Sequence, residues 1–112
     1  MQPYAGLRVV EFATVGGVPF GAWWLAQQGA HVLRVQAPQP PELGVPVAPQ
    51  GDIGRWQRET VVLDLKSAEG REAALQLLND ADVLIEGYRA GVMERLGLGP
   101  AHCHARQPAL VY

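Results

Sequence analysis

Two adjacent glycines, Gly16 and Gly17, follow the first apolar run of the chain, and their backbone N–H groups are candidates for binding an anion. Pro19 then opens a segment with helical spacing of apolar residues. Backbone N–H groups at the start of a helix attract phosphates and carboxylates. The spacing matches neither the dinucleotide-binding fingerprint nor the Walker pattern, so a structural turn is the alternative.

Several arginines lie in or beside the segments that follow apolar runs. They are Arg55, Arg58, Arg89 and Arg95. The guanidinium group suits phosphate recognition because its planar fork of N–H donors matches phosphate oxygens. Solvation at the surface explains each arginine singly, whereas their shared placement favours a phosphate-bearing ligand.

Metal and nucleophile chemistry find little support in the sequence. His102, Cys103 and His104 are adjacent, and Cys103 is the single cysteine. A zinc site needs four converging ligands, and adjacent side chains on a helix point in different directions. We therefore expect no metal and identify no catalytic residue, although Glu86, at the end of a predicted strand, is a candidate site carboxylate. Ser67, the sole serine, is better placed as a helix cap.

The charge balance argues against several classes of partner. Nine Lys and Arg against eleven Asp and Glu give a formal net charge of -2, which supplies no electrostatic drive toward nucleic acid or an anionic membrane. The longest apolar stretch, residues 15–26, is interrupted by Pro19 and three glycines, so we expect no membrane span. A single cysteine fits a reducing compartment. We expect a cytoplasmic protein.

Short β-branched runs alternate with helix-like segments along the chain. The predicted strands are residues 7–12, 31–36, 60–65, 82–86 and 109–112, and helical segments lie between them. This alternation predicts an α/β fold, a parallel sheet of about five strands with helices on both faces. All 112 residues are assigned to one domain.

Ligands of such sheets bind at the carboxyl ends of the strands, near a switch in strand order. This rule selects residues 13–18, residues 87–91 and a proline-rich loop over 37–59 with its exit at Arg58. The adjacent Trp23 and Trp24 cannot both face the core, and an exposed tryptophan indicates a partner surface or a missing neighbouring segment.

Several segments, taken in order, resemble the opening part of the class III CoA transferases. This family includes formyl-CoA transferase, carnitine-CoA transferases and the α-methylacyl-CoA racemases. The most specific block, residues 81–100, reads Ala-Asp-Val-Leu-Ile-Glu-Gly-Tyr-Arg-Ala-Gly-Val-Met-Glu-Arg-Leu-Gly-Leu-Gly-Pro. Similar blocks lie at residues 5–12, 25–35, 63–71 and 107–112.

The resemblance implies a Rossmann-like, CoA-binding portion of a longer enzyme, with CoA or an acyl-CoA thioester as the ligand. It also implies a dimer or a further C-terminal segment as a partner. The positions that match the CoA-contacting residues of the family are Thr14, Val15, Gly16, Gly17, Arg58, Tyr88, Arg89 and Arg95.

The chain also departs from the family pattern. The asparagine that the family places before the aromatic is Gly87, and the following proline is Ala90. The catalytic aspartate of the family lies beyond the strand where this sequence ends, so residues 1–112 alone are expected to be inactive. The alternative to a CoA-binding portion is a non-catalytic binding or assembly module that keeps the fold but not CoA binding.

Overall fold

The computed structural model describes residues 2–14, 17–39 and 58–112. Its strands are β1 (Arg8–Phe12), β2 (His31–Gln36), β3 (Glu59–Val62) and β4 (Val83–Ile85). The helices are α1 (Gly17–Gln27), α2 (Ala68–Leu77), α3 (Val92–Arg95) and α4 (Pro100–Arg106), and a 3-10 turn over Leu78–Asp80 follows α2. Strands and helices alternate, so the predicted α/β class is confirmed.

The four strands form one parallel sheet in the order β3-β2-β1-β4. Val10 pairs with Leu33 on one side and with Leu84 on the other. The chain moves outward from β1 through β2 to β3, and then returns to the opposite side of β1. The strand order therefore switches between β1 and β4, where parallel α/β sheets place their ligands.

Helices cover both faces of the sheet. On one face, α1 packs through the buried Ala22 against Val9 and Val32, with Leu25 and Ile85 at the margin. The other face carries the larger core, which combines Phe12, Val35, Ala74, Leu78, Leu84, Met93, Leu98 and Cys103. Because both faces are covered, the strand centres are apolar, as parallel strands usually are.

Local signals fix several helix boundaries. The N-terminal cap of α2 is Ser67, whose hydroxyl oxygen accepts a hydrogen bond of 2.9 Å from the Gly70 N–H. Gly29, in the chain reversal after α1, has a φ of +104°. Residues other than glycine rarely adopt this backbone conformation. Both positions behave as the sequence predicts.

Two strands differ from the prediction by more than one residue at an end, whereas β1 begins one residue later and β4 is one residue shorter at each end. The predicted fifth strand is a single bridge, in which Val111 pairs with Val83. Leu110 does not extend the ladder because its N–H is bonded to the Gln107 carbonyl within a turn. Strand β3 ends at Val62 rather than at residue 65, because Asp64 already belongs to the turn that caps α2.

Candidate functional site

Two of the three selected segments meet at the carboxyl ends of neighbouring strands. Residues 13 and 14 follow β1, residues 86–91 follow β4, and β1 pairs directly with β4. Helix α1 begins at Gly17, immediately after the first loop. The switch in strand order therefore lies between a helix start and a loop that carries an aromatic and a basic residue.

Tyr88 links the two loops. Its hydroxyl lies 3.4 Å from the Ala13 carbonyl oxygen, and its backbone N–H donates to the Glu86 carboxylate at 2.9 Å. The ring is half-buried, and burial raises the pKa of Tyr88, with a further rise from the Glu86 carboxylate. Its phenol therefore stays protonated near neutral pH and presents an O–H donor at the crevice.

The loops also touch through Gly87, which lacks the side chain that the family places at this position. A Cβ on residue 87 would stand 2.7 Å from Val18 Cγ2 and 3.1 Å from Thr14 Oγ1. The Thr14 hydroxyl oxygen is buried and has no hydrogen-bond partner within the described part of the chain. A buried hydroxyl in this state is suited to a polar group of a ligand.

The two arginines beyond Tyr88 are exposed. Arg89 lies in the loop, and Arg95 is the last residue of α3. A Cβ on Gly91 would stand 3.0 Å from a guanidinium nitrogen of Arg95, so the Arg95 side chain folds back over Gly91, whose φ is +87°. The Arg95 guanidinium group therefore lies beside the loop that follows β4.

Arg58 lies in a different environment. It immediately precedes β3, and its neighbour Glu59 pairs with Leu33 in the middle of β2. The exit of the proline-rich loop is thus at the amino end of β3, not among the carboxyl ends where we expected it. The Arg58 Nε atom lies 2.7 Å from Glu11 Oε1, and neither side chain is exposed.

The sequence reasoning did not single out Glu11, although a signal was available. An acidic residue inside a strand that is covered on both faces must have a partner, because burial of an isolated charge is very costly. Burial raises the pKa of Glu11, while the charges of Arg58 and Arg34 act in the opposite direction. The identity of the partner could not be read from the sequence, since Arg58 is 47 positions away.

The histidine–cysteine segment points its groups in different directions. His102 is exposed, and the Cys103 thiol is buried and lies 3.2 Å from the Leu98 carbonyl oxygen. His104 Nε2 lies 2.9 Å from the Leu110 carbonyl oxygen. In the described ranges no three His, Cys, Asp or Glu side chains cluster in a way that could hold a metal ion.

The outer face of α1 is aromatic. Phe20 and Trp24 are 55% and 46% exposed, Tyr4 packs edge-on against Trp24, and Trp23 packs against Phe20. One tryptophan of the pair thus faces outward, as predicted. None of the helices in the described residues is both long and apolar enough to cross a bilayer.

The structure therefore describes most of the predicted site residues but not all. Thr14, Gly17, Tyr88, Arg89 and Arg95 border the carboxyl ends of β1 and β4, and Arg58 is buried against Glu11. Val15, Gly16 and Arg55 lie outside the described residues, as does most of the proline-rich loop.

A parallel sheet with a helix start at its switch point defines an α/β fold whose ligands usually bind at the carboxyl ends of the strands. The sequence profile of CoA-transferase family III matches residues 4–112. The chain belongs to this family, and the predicted resemblance is confirmed.

Relatives with assigned names agree with the family. Human alpha-methylacyl-CoA racemase is 38% identical over 109 residues, which cover 96% of this chain and 26% of the racemase. The succinyl-CoA–L-malate CoA-transferase beta subunit of Chloroflexus aurantiacus is 39% identical over 106 residues, covering 87% of this chain and 26% of the subunit.

Solved structures show the same fold. A crystal structure of Rv3272 from Mycobacterium tuberculosis superposes with a TM-score of 0.87 and 33% identity, covering 100% of this chain and 32% of that one. A CAIB/BAIF family protein from Brucella suis gives a TM-score of 0.79 at 27% identity, covering 99% of this chain and 32% of its own. The chain thus spans between a quarter and a third of the length of these four relatives.

Proposed function

We propose that this chain is the CoA-binding N-terminal portion of a class III acyl-CoA transferase or racemase, and that it binds the CoA moiety of a thioester at the carboxyl ends of β1 and β4. The observation that carries the proposal is the meeting of the 13–14 and 86–91 loops through Tyr88 and Gly87. The names of the relatives, which act on CoA thioesters, supply the ligand class.

Most of the predicted site residues have a chemical role in this proposal. The Thr14 hydroxyl and the N–H groups at the start of α1, including that of Gly17, donate to the pantetheine and the diphosphate, while Val15 and Gly16 stay predicted contacts outside the described residues. The Tyr88 ring packs against the flat part of the ligand, and its O–H completes the polar edge of the site. Arg89 and Arg95 neutralise phosphate charge at the rim.

We propose that the chemistry itself uses a group outside these residues. The resemblance implies an aspartate that forms covalent acyl intermediates in the transferases, and acid and base groups that exchange the α-proton in the racemase branch. Glu86, the candidate site carboxylate, accepts a hydrogen bond from the Tyr88 N–H. We therefore propose that residues 1–112 alone hold the thioester without turning it over.

Titration calorimetry with CoA tests the proposal directly. We expect saturable binding, weakened about tenfold by Arg95→Ala, because a charged hydrogen bond at the rim contributes on the order of 1.4 kcal/mol. Arg8→Ala is the matched control: it removes the same charge from an exposed position at the amino end of β1, and the affinity should not change. No saturable heat at millimolar CoA would reject the proposal, as would equal affinity for ADP.

The exposed aromatics of α1 favour a second candidate, a non-catalytic assembly module. Phe20 and Trp24 expose apolar surface to solvent, and a partner that covered this surface would gain binding free energy from it. Under this alternative, Phe20→Ser and Trp24→Ser change the mass of the assembly measured by sedimentation. The wild-type chain then gives no heat of binding with CoA. Under the primary proposal the same chain binds CoA.

A further inference from the structure

Among the residues that the structure describes, Glu11 and Arg58 are the only charged residues that are buried. The Arg58 Nε atom lies 2.7 Å from Glu11 Oε1, and Nη2 lies 3.5 Å from Glu11 Oε2. The 2.7 Å contact is an ion pair without hydrogen-bond geometry, and the Nη2–Oε2 contact is a long hydrogen bond. The two opposite charges are held in contact where water does not screen them, so their relative position is fixed mainly by charge.

The pair bridges strands that are not neighbours in the sheet. Glu11 belongs to β1 and Arg58 precedes β3, while β2 lies between them. Arg34 of β2 is directly opposite Glu11 in the register and shares its face of the sheet. The Arg58 side chain thus crosses β2 on the α1 side and ends at β1.

Glu11, at one end of the ion pair, lies two residues before the first loop of the proposed site. Phe12 follows Glu11 and completes β1, and Ala13, which follows Phe12, donates its N–H to the Val35 carbonyl and accepts the Tyr88 hydroxyl. A shift of Glu11 along the sheet therefore moves the residues that link the two ligand-binding loops.

We infer that the Glu11–Arg58 ion pair is a positioning device: Arg58 acts on ligand binding through Glu11 and the 13–14 loop, not by touching a ligand phosphate. This inference rests on the proposed function. It also reassigns Arg58, which the sequence placed among the CoA-contacting residues. The Arg58 side chain has no exposed surface and lies 2.7 Å from the Glu11 carboxylate, so a ligand in solvent does not reach its guanidinium in this structure.

The two roles predict different ligand dependence. A phosphate contact contributes to binding of CoA but not of pantetheine, which lacks the nucleotide and its phosphates. A positioning pair contributes to both ligands because the loop that it orients is needed by both. Neutral variants with nearly the same shape, Glu11→Gln and Arg58→Met, separate these roles.

The experiment is an NMR titration of CoA and of pantetheine into the wild type, both single variants and the double variant, with thermal unfolding of each. Each single variant removes one partner of a buried ion pair and should unfold at a lower temperature, and the double variant should recover much of the loss. We expect the affinity for both ligands to fall by about the same factor, roughly tenfold, in all three variants.

Three results would overturn the inference. If only CoA binding weakens in Arg58→Met and pantetheine binding is unchanged, Arg58 contacts a phosphate. If the affinity returns together with the stability in the double variant, the pair is merely structural. If the wild type binds neither ligand, the proposed function itself fails and the inference falls with it.

The matched control is the exposed ion pair of Glu72 and Arg106, which joins α2 to α4. Glu72→Gln combined with Arg106→Met removes the same two charges from the surface. We expect little change in stability or in either affinity, since exposed pairs contribute little.

Discussion

Gly87 lies so close to Val18 that a Cβ on residue 87 would stand 2.7 Å from Val18 Cγ2. These two residues belong to the loop after β4 and to the first turn of α1. Their contact brings the two halves of the proposed CoA site together at the switch in strand order. It also explains why a glycine is compatible with this chain at a position where the family carries asparagine.

Gly87→Ala should therefore disturb the site locally. The added methyl group must displace the β-branched Val18, so we expect a loss of about 1–3 kcal/mol in the free energy of unfolding and weaker CoA binding. Urea unfolding and calorimetry measure the two effects. The double variant Gly87→Ala, Val18→Ala creates room for the methyl group and should recover most of the stability. An unchanged single variant, or a double variant no better than the single, would refute the contact.

Glu86 should control the ionisation of Tyr88. Burial is the main reason that the pKa of Tyr88 is raised, and the Glu86 carboxylate adds to the rise. Glu86→Gln keeps an oxygen acceptor for the Tyr88 N–H but removes the charge, so the pKa of Tyr88 should fall while remaining above its ordinary value. Selective labelling of the tyrosine rings and titration by NMR reports each residue separately.

Glu94→Gln is the control for this titration. The Glu94 charge raises the pKa of Tyr112 but is not among the causes of the rise at Tyr88. The Glu94 variant should lower the pKa of Tyr112 and leave that of Tyr88 in place. If Glu86→Gln left the pKa of Tyr88 unchanged, the carboxylate would not lie beside the ring as described.

The buried thiol predicts a loss of stability at alkaline pH. Burial raises the pKa of Cys103 from 9.0 to about 11. Below pH 9 both the folded and the unfolded thiol are protonated, and the contribution of Cys103 to stability is complete. Between pH 9 and 11 the unfolded thiol ionises first, so this contribution decreases by about 2 kcal/mol.

Cys103→Ala isolates the effect, because alanine does not titrate. The difference in unfolding free energy between the wild type and the variant should be constant up to pH 9 and should shrink above it. Urea unfolding at several pH values gives this difference. A difference that is constant to pH 11 would mean that the thiol ionises equally in both states.

The sequence predicted what local chemistry determines. Strand β2 and helix α4 have the predicted bounds, Ser67 caps α2, and Gly29 adopts its positive φ. These features depend on residues that are close together in the chain, so pattern and propensity suffice to predict them. The fifth strand was overestimated because residues 109–112 have β-forming side chains but only Val111 finds a partner.

The site was predicted as segments and not as contacts. The rule for parallel sheets selected the loops after β1 and β4, and these loops meet in the structure, whereas the order of the strands depends on packing over the whole sheet. That they bind a ligand stays a prediction. The pairing of Glu11 with Arg58 could not be read from a single sequence, because it joins residues on either side of β2. We also expected Arg58 at the carboxyl ends of the strands, and this was wrong. A chain segment that leaves the carboxyl end of one strand must return to the amino end of the next parallel strand, and Arg58 lies at that amino end.

The central claim, that CoA binds at the carboxyl ends of β1 and β4, is tested most directly by mapping amide chemical shifts during a CoA titration. The account predicts saturable changes in the amide shifts of Ala13, Thr14, Gly17, Val18 and residues 87–91. It predicts no changes at Arg8 and His31, which lie at the amino ends of β1 and β2. Saturable changes confined to Arg8, His31 or the outer face of α1, with none in the two loops, would contradict it.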